Sequence, residues 1–228
     1  MHDLSLTIKE LLKKIDPPIA AALGHVDLSL PLPPPVQFLS AGEKVHLAAL
    51  CAVKRRRQWL GGRLAAKEAL IELFTGQREQ WQITNSADGR PRANFLPDPE
   101  RFRADISISH SHDLAVALAV AGGYACGIDV ELMGMRPHRL RERFSKRTED
   151  EIIARLSPEK GYTMLWCAKE ALRKAIRPMP GFFDLELFAL APQANGYIMD
   201  FSLGPKGPFR CHTMLYKGYG VAVFINKH

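Results

Sequence analysis

Residues 105–132, DISISHSHDLAVALAVAGGYACGIDVEL, carry the strongest structural signal in the chain. Ile106 and Ile108 alternate with Ser107 and Ser109, the period of a half-buried strand. Leu114–Ala121 is an unbroken apolar run of strand length, well short of the roughly 20 residues that cross a bilayer. Gly122-Gly123 marks a turn, and residues 125–132 read as a further strand. The signal over this stretch is strongly β, with helices expected on either side in the sequence.

Toward the N-terminus, Ser40-Ala41-Gly42-Glu43 has the pattern of a capping box, predicting helix from there to about Phe74, with a break, and a stop at Thr75-Gly76. Short strands are expected at residues 81–84 and 92–96, around the turn Asp88-Gly89-Arg90-Pro91. Residues 27–35 end in Pro31-Leu32-Pro33-Pro34-Pro35, which predicts a stiff extended arm with no helix. Residues 3–15 have the spacing of a short amphipathic helix, with Leu4, Ile8, Leu11, Leu12 and Ile15 on one side.

Toward the C-terminus, helix starts are expected at Thr148-Glu149-Asp150-Glu151 and at Ser157-Pro158-Glu159, the second helix running to about Arg177 before Pro178. Strand patterns follow at residues 185–190, 197–203, 210–216 and 221–225. The order is helix then strands, twice over, with no letter-by-letter internal repeat. The expected fold class is α+β in two halves, residues 1–122 (of which 1–39 form an extension) and 123–228.

Composition narrows the function. A charge of +7 among 228 residues and a pI near 9.3 suit an anionic partner: nucleic acid, a polyphosphate cofactor or an acidic protein. No signal-peptide pattern or spanning segment is visible, so a cytoplasmic protein without a membrane role is expected. Cys51, Cys126, Cys167 and Cys211 form no CxxC pair and predict neither a zinc site nor disulfides.

Alternate strand residues share a face, so Asp129 and Glu131 point together. Two such carboxylates suit a hard cation, magnesium or manganese rather than zinc, although a DxE pair alone is more often the wet face of a sheet. The downstream segment Trp166-Cys167-Ala168-Lys169-Glu170-Ala171-Leu172-Arg173-Lys174 changes that balance. Trp166, Glu170 and Lys174 form one helical ridge, with Lys169 and Arg173 beside it. Glu170 is a third candidate metal ligand, and Lys169 and Lys174 are candidate phosphate contacts. The bland alternative is a surface Glu–Lys pair. Cys167 has no activating His beside it and reads as packing. Ser109, His110 and Ser111, expected just past a strand end, supply hydroxyl and imidazole groups for phosphate. Lys54-Arg55-Arg56-Arg57 reads as a solvated charge run, one member of which can turn toward a phosphate; Arg90, between Gly89 and Pro91, is similarly poised.

The order Gly89-Arg90-Pro91, Ser109-His110-Ser111, Gly127-Ile128-Asp129-Val130-Glu131 and Trp166 to Lys174 resembles the 4′-phosphopantetheinyl transferases of the surfactin-synthetase-activating type. The resemblance covers residues 40–177, and it implies a monomer of two pseudo-twofold-related α+β halves with the active site in the cleft between them. It implies transfer of phosphopantetheine from coenzyme A to a serine of an acidic acyl or peptidyl carrier protein. Asp129, Glu131 and Glu170 then correspond to magnesium ligands, with Glu170 also the base toward the serine. Lys174 and Lys169 correspond to pyrophosphate contacts, and Ser109 and His110 to further phosphate contacts, His110 within the catalytic set. Arg57, before Leu60-Gly61, corresponds to a 3′-phosphate contact, and Lys44 and Arg90 to the adenine-nucleotide pocket. The family usually has Lys where Arg90 stands. Two other readings compete: a metal-dependent nucleotide phosphohydrolase, and a non-enzymatic basic nucleic-acid-binding module, which lacks an aromatic platform.

Overall fold

The computed structural model describes Leu4 and residues 19–227. Apart from Leu4, the helix expected at residues 3–15 lies outside the described residues. The chain divides into two compact units, one ending at Ala125 and including Lys227, the other Cys126–Asn226.

The first unit contains β1 (Ala21–Asp27), α1 (Ala41–Ala48), α2 (Val53–Leu73), β2 (Trp81–Asn85), β3 (Pro91–Phe95), β4 (Ala104–Ser111) and β5 (Leu114–Ala121). The apolar run of β5 lies at the centre of an antiparallel sheet, order β1-β5-β4, while β2 and β3 form a separate hairpin. Being covered on both faces, β5 shows no alternation. Against this sheet α2 packs Ala65, Ala66, Ala69 and Leu70, together with Ile106, Ala117 and Ala119 and with Trp81, Ile83 and Phe95 of the hairpin. Small residues on both surfaces permit a close approach: a Cβ on Gly24 would lie 1.9 Å from the Ala65 carbonyl oxygen.

The second unit takes in most of β6 (Tyr124–Leu132), then α3 (Met135–Arg139), α4 (Arg147–Ile153), α5 (Pro158–Ala175), β7 (Leu185–Gln193), β8 (Gly196–Leu203), β9 (Lys206–Tyr216) and β10 (Tyr219–Lys227). Its sheet has the order β6-β10-β9-β8-β7. The Ser157 side chain caps α5 by accepting the Lys160 N–H at 3.4 Å, with Pro158 in the first turn. The molecule is α+β in both units, and no helix among the described residues is long and apolar enough to cross a membrane.

Several sequence expectations need correction. β1 was not expected; its AALGHVD has little β-branched or aromatic character and forms a strand through pairing with β5, Ala21 opposite Val120 to Asp27 opposite Leu114. The proline arm contains a 3-10 turn at Pro35–Gln37, which Pro35 can open because the first helical residue needs no N–H donor. Ser109, His110 and Ser111 belong to β4 rather than following it. α3 gave no signal, being short and carrying Pro137. α4 begins at Arg147, because Lys146 N–H donates to Glu149 Oε2 at 2.8 Å and closes the first turn one residue early. α5 ends at Ala175, two residues short, with Ile176 extended at ψ 143°.

A repeat is also present. Ala66-Lys67-Glu68-Ala69-Leu70 in α2 recurs letter for letter as Ala168-Lys169-Glu170-Ala171-Leu172 in α5. Each unit uses its lysine in the same way. Lys67 Nζ donates to the Phe38 carbonyl at 2.6 Å and to Glu43 Oε2 at 2.5 Å, and Glu43 Oε1 accepts the Ile83 N–H of β2 at 3.2 Å. Lys169 Nζ donates to the Phe144 carbonyl at 2.7 Å and to Glu149 Oε2 at 2.7 Å, and Glu149 Oε1 accepts the Leu187 N–H of β7 at 2.9 Å. Phe and Glu stand at the same F-x-x-x-x-E spacing in both places.

Candidate active site

In the second unit, β6 carries Asp129 and Glu131, and α5, packed against it, carries Glu170. Strand pairing puts Asp129 almost wholly inside, while Glu131 is partly open. Gly127 allows α5 to sit directly on β6, since a Cβ there would fall 1.8 Å from the Ala171 carbonyl oxygen. Glu170 lies next to that point of contact.

Each carboxylate faces a cation. Lys174 Nζ donates to Asp129 Oδ1 at 2.8 Å and to the Ile128 carbonyl at 2.9 Å. Arg173 Nη1 lies 3.0 Å from Glu170 Oε1, and Arg136 Nη1 lies 3.5 Å from Glu131 Oε1. Burial and then the Asp129 charge push the Glu170 carboxyl above its ordinary range, and Lys174 and Arg173 oppose this. The Asp129 charge thus reaches Glu170. Among the described residues no three His, Cys, Asp or Glu side chains converge closely enough to hold one ion. All three candidate ligands are carboxylates, the donor class that magnesium prefers, and in this structure their oxygens are paired instead with the ammonium and guanidinium groups of Lys174, Arg173 and Arg136.

Beside Glu131, a pocket of about 90 Å³ is lined by Arg136, Pro137, Leu140 and Trp166. The Trp166 ring stacks on Phe182, centroids 5.1 Å apart, and meets Phe144 edge-on at 5.1 Å. The Arg173 guanidinium lies 4.1 Å from the centroid of the Phe182 ring, and its Nε donates to the Pro180 carbonyl at 2.9 Å. Arg136 and Phe182 are site neighbours that sequence reasoning did not single out, and Arg173, named beside Glu170 on the helix, was given no role there. Arg173 had a legible signal, the i,i+3 spacing from Glu170; Arg136 and Phe182 belong to no motif.

Lys169 is not with this group. Its side chain is fully buried and points to Glu149, Phe144 and Phe182, and burial lowers its pKa against the raising effect of Glu149. An ammonium spent on those three acceptors is not a phosphate contact. Cys167 is likewise interior, its thiol pushed well above the ordinary value by burial and then by Asp129, as expected of a packing residue.

In the first unit, Ser109 is buried and His110 exposed on β4, opposite Val116 and Ala115 of β5. Arg57 holds the proline arm, with Nε to the Leu28 carbonyl at 2.6 Å and Nη2 to that of Leu30 at 2.7 Å. Arg90 Nη2 pairs with Asp105 Oδ2 at 2.9 Å. Lys44 is exposed on α1.

Residues 125–223 match the 4′-phosphopantetheinyl transferase superfamily. A search of curated proteins found no match. Among solved structures, a holo-(acyl-carrier-protein) synthase from Bacillus anthracis, in complex with coenzyme A (3′,5′-ADP), is 23% identical, covering 45% of this chain and 96% of its own at a TM-score of 0.39. The Thermotoga maritima holo-(acyl-carrier-protein) synthase is 27% identical over 56% of this chain and 76% of its own, TM-score 0.40. That of Neisseria meningitidis is 20% identical over 45% and 96%, TM-score 0.38. These likenesses are partial, and the fold described above rests on the chain's own elements.

Proposed function

We propose that this protein is a 4′-phosphopantetheinyl transferase of the two-half, surfactin-synthetase-activating type. It moves phosphopantetheine from coenzyme A to a serine of an apo acyl or peptidyl carrier protein and releases adenosine 3′,5′-bisphosphate. The observation that carries this is the superfamily match over residues 125–223, which spans Asp129, Glu131, Glu170 and Lys174. We infer further that it works as a cytoplasmic monomer on an acidic carrier, the basic charge of +7 speeding encounter.

The reaction is displacement at the β-phosphorus of coenzyme A. Glu170 takes the proton of the carrier serine. The serine oxygen forms the new bond to phosphorus as the pyrophosphate bridge breaks. Asp129, Glu131 and Glu170 are the proposed magnesium ligands; they do not converge on one point in this structure, so holding the ion would require them to draw closer, and its charge would then offset that of the pyrophosphate. Lys174, already turned to Asp129, supplies a second positive charge beside the same carboxylates. Ser109 and His110 are proposed phosphate contacts, and Arg57, Arg90 and Lys44 nucleotide contacts; Arg57 and Arg90 would each do so beside their present partners.

The test is intact mass of apo carrier proteins incubated with the protein, coenzyme A and magnesium. A gain of one phosphopantetheine unit, abolished by a chelator and by Glu170→Gln or Asp129→Ala, is expected. Full activity of Asp129→Ala would overturn the ligand assignment, and product released without a carrier would favour the phosphohydrolase reading.

A further inference from the structure

We infer that Lys169 and Glu149 form a positioning pair for Glu170, an inference that rests on the proposed role of Glu170. Both side chains of the pair are fully buried. A buried ion pair is a poor source of stability, because desolvating two charges can cost more than their attraction returns, and apolar residues of similar volume often do as well. Yet the chain builds this arrangement twice, with the same lysine within Ala-Lys-Glu-Ala-Leu, the same Phe carbonyl, the same Glu and the same strand N–H. Direction is what such a pair supplies.

The second copy differs from the first in one respect that connects it to the site. Lys169 Nζ also donates to the Phe182 carbonyl at 3.1 Å. The Phe182 ring lies under the Arg173 guanidinium and against Trp166. Arg173 in turn pairs with Glu170. One ammonium on α5 therefore fixes the backbone of the segment whose ring and carbonyls set Arg173, and Arg173 sets the carboxylate of the very next residue after Lys169. Lys169 and Glu149 touch no reacting atom; they act through Phe182 and Arg173.

The experiment compares two double replacements by apolar residues, Glu149→Leu/Lys169→Met and Glu43→Leu/Lys67→Met. Lys169→Met alone strands Glu149 in the interior and serves only as the destabilised reference. Both doubles should keep a cooperative unfolding transition. The Glu149/Lys169 double should show faster amide hydrogen exchange in residues 177–184. Its kcat should fall about 10-fold to 100-fold, as when a group behind a ligand is lost, with KM for coenzyme A changed by less than about threefold. The Glu43/Lys67 double should keep the wild-type kcat. Wild-type kcat in the Glu149/Lys169 double, or equal loss in both doubles, would overturn the positioning role. If the wild-type protein modifies no carrier, the proposed function fails separately. Exchange then decides the pair: faster exchange at residues 177–184 keeps the tether from Lys169 to Phe182, and unchanged exchange removes it.

Discussion

Gly127→Ala should loosen the second unit and disable its site together. Gly127 lies on β6 beneath α5, and a Cβ there would meet the Ala171 carbonyl oxygen at 1.8 Å, its carbon at 2.7 Å and the Ala171 Cα at 3.2 Å. All three are backbone atoms of a helix, so no rotamer change gives relief. To restore an ordinary contact of about 3.4 Å, helix and strand must part by roughly 1.5 Å, which in a close-packed interior is overpacking. The cost is about 3 kcal/mol, the upper end for such insertions. For a chain of this size that lowers Tm by about 6–12 °C. The same displacement carries Glu170 away from Asp129, so turnover should fall further than the folded fraction does, by roughly 100-fold for a displacement of an ångström. Calorimetry and the carrier-mass assay on one preparation read both quantities. A Gly127→Ala protein melting within a degree of wild type would refute the close-contact argument, and normal turnover by a protein that does melt early would refute the link from contact to site.

Other outcomes are fixed by particular contacts. Lys174→Met leaves Asp129 and the Ile128 carbonyl without their shared donor and should cost about 1–3 kcal/mol in urea unfolding. Arg57→Ala frees the Leu28 and Leu30 carbonyls; limited proteolysis should then cut within residues 28–37 sooner, with a stability loss of about 1 kcal/mol. His212, half-buried and close to Arg210, has its pKa lowered from 6.5 to about 4. The folded protein thus resists a proton that the unfolded chain accepts, so this contribution is whole above pH 6.5 and drains away as pH falls toward 4. About 2–3 kcal/mol of stability should be lost across that window, and His212→Asn should remove that slope from a series of urea titrations.

Much of the architecture was legible because it rests on local rules. The capping box at Ser40 and Glu43 forms as read, with Ser40 N–H to Glu43 Oε2 at 2.9 Å, and β5 has the expected bounds. What escaped depends on distant partners. β1 is a strand only because β5 offers it an edge, and α3 is too short for periodicity to register. In the candidate site, the placing of Asp129 and Glu131 on one strand and of Glu170 and Lys174 on one helix was legible in the sequence. The direction of Lys169 was not: its spacing beside Arg173 is equally compatible with a surface ridge, and only the position of Glu149, twenty residues earlier, turns it inward. The recurrence in α2 was visible in the letters; what it does, clamping Phe38 and Phe144, required coordinates.

The two copies of Ala-Lys-Glu-Ala-Leu are followed by different residues. Four residues after Glu68 stands Glu72, whereas four residues after Glu170 stands Lys174. In the first unit Glu68 and Glu72 line, with His25 and Asp27, a pocket of about 490 Å³. One mechanical part thus serves in two electrical settings, beside an acid-rimmed hollow in one unit and within a cluster of paired carboxylates and cations in the other. For anyone redesigning this chain, the clamp is the chassis and the residue one turn beyond it is the interchangeable fitting.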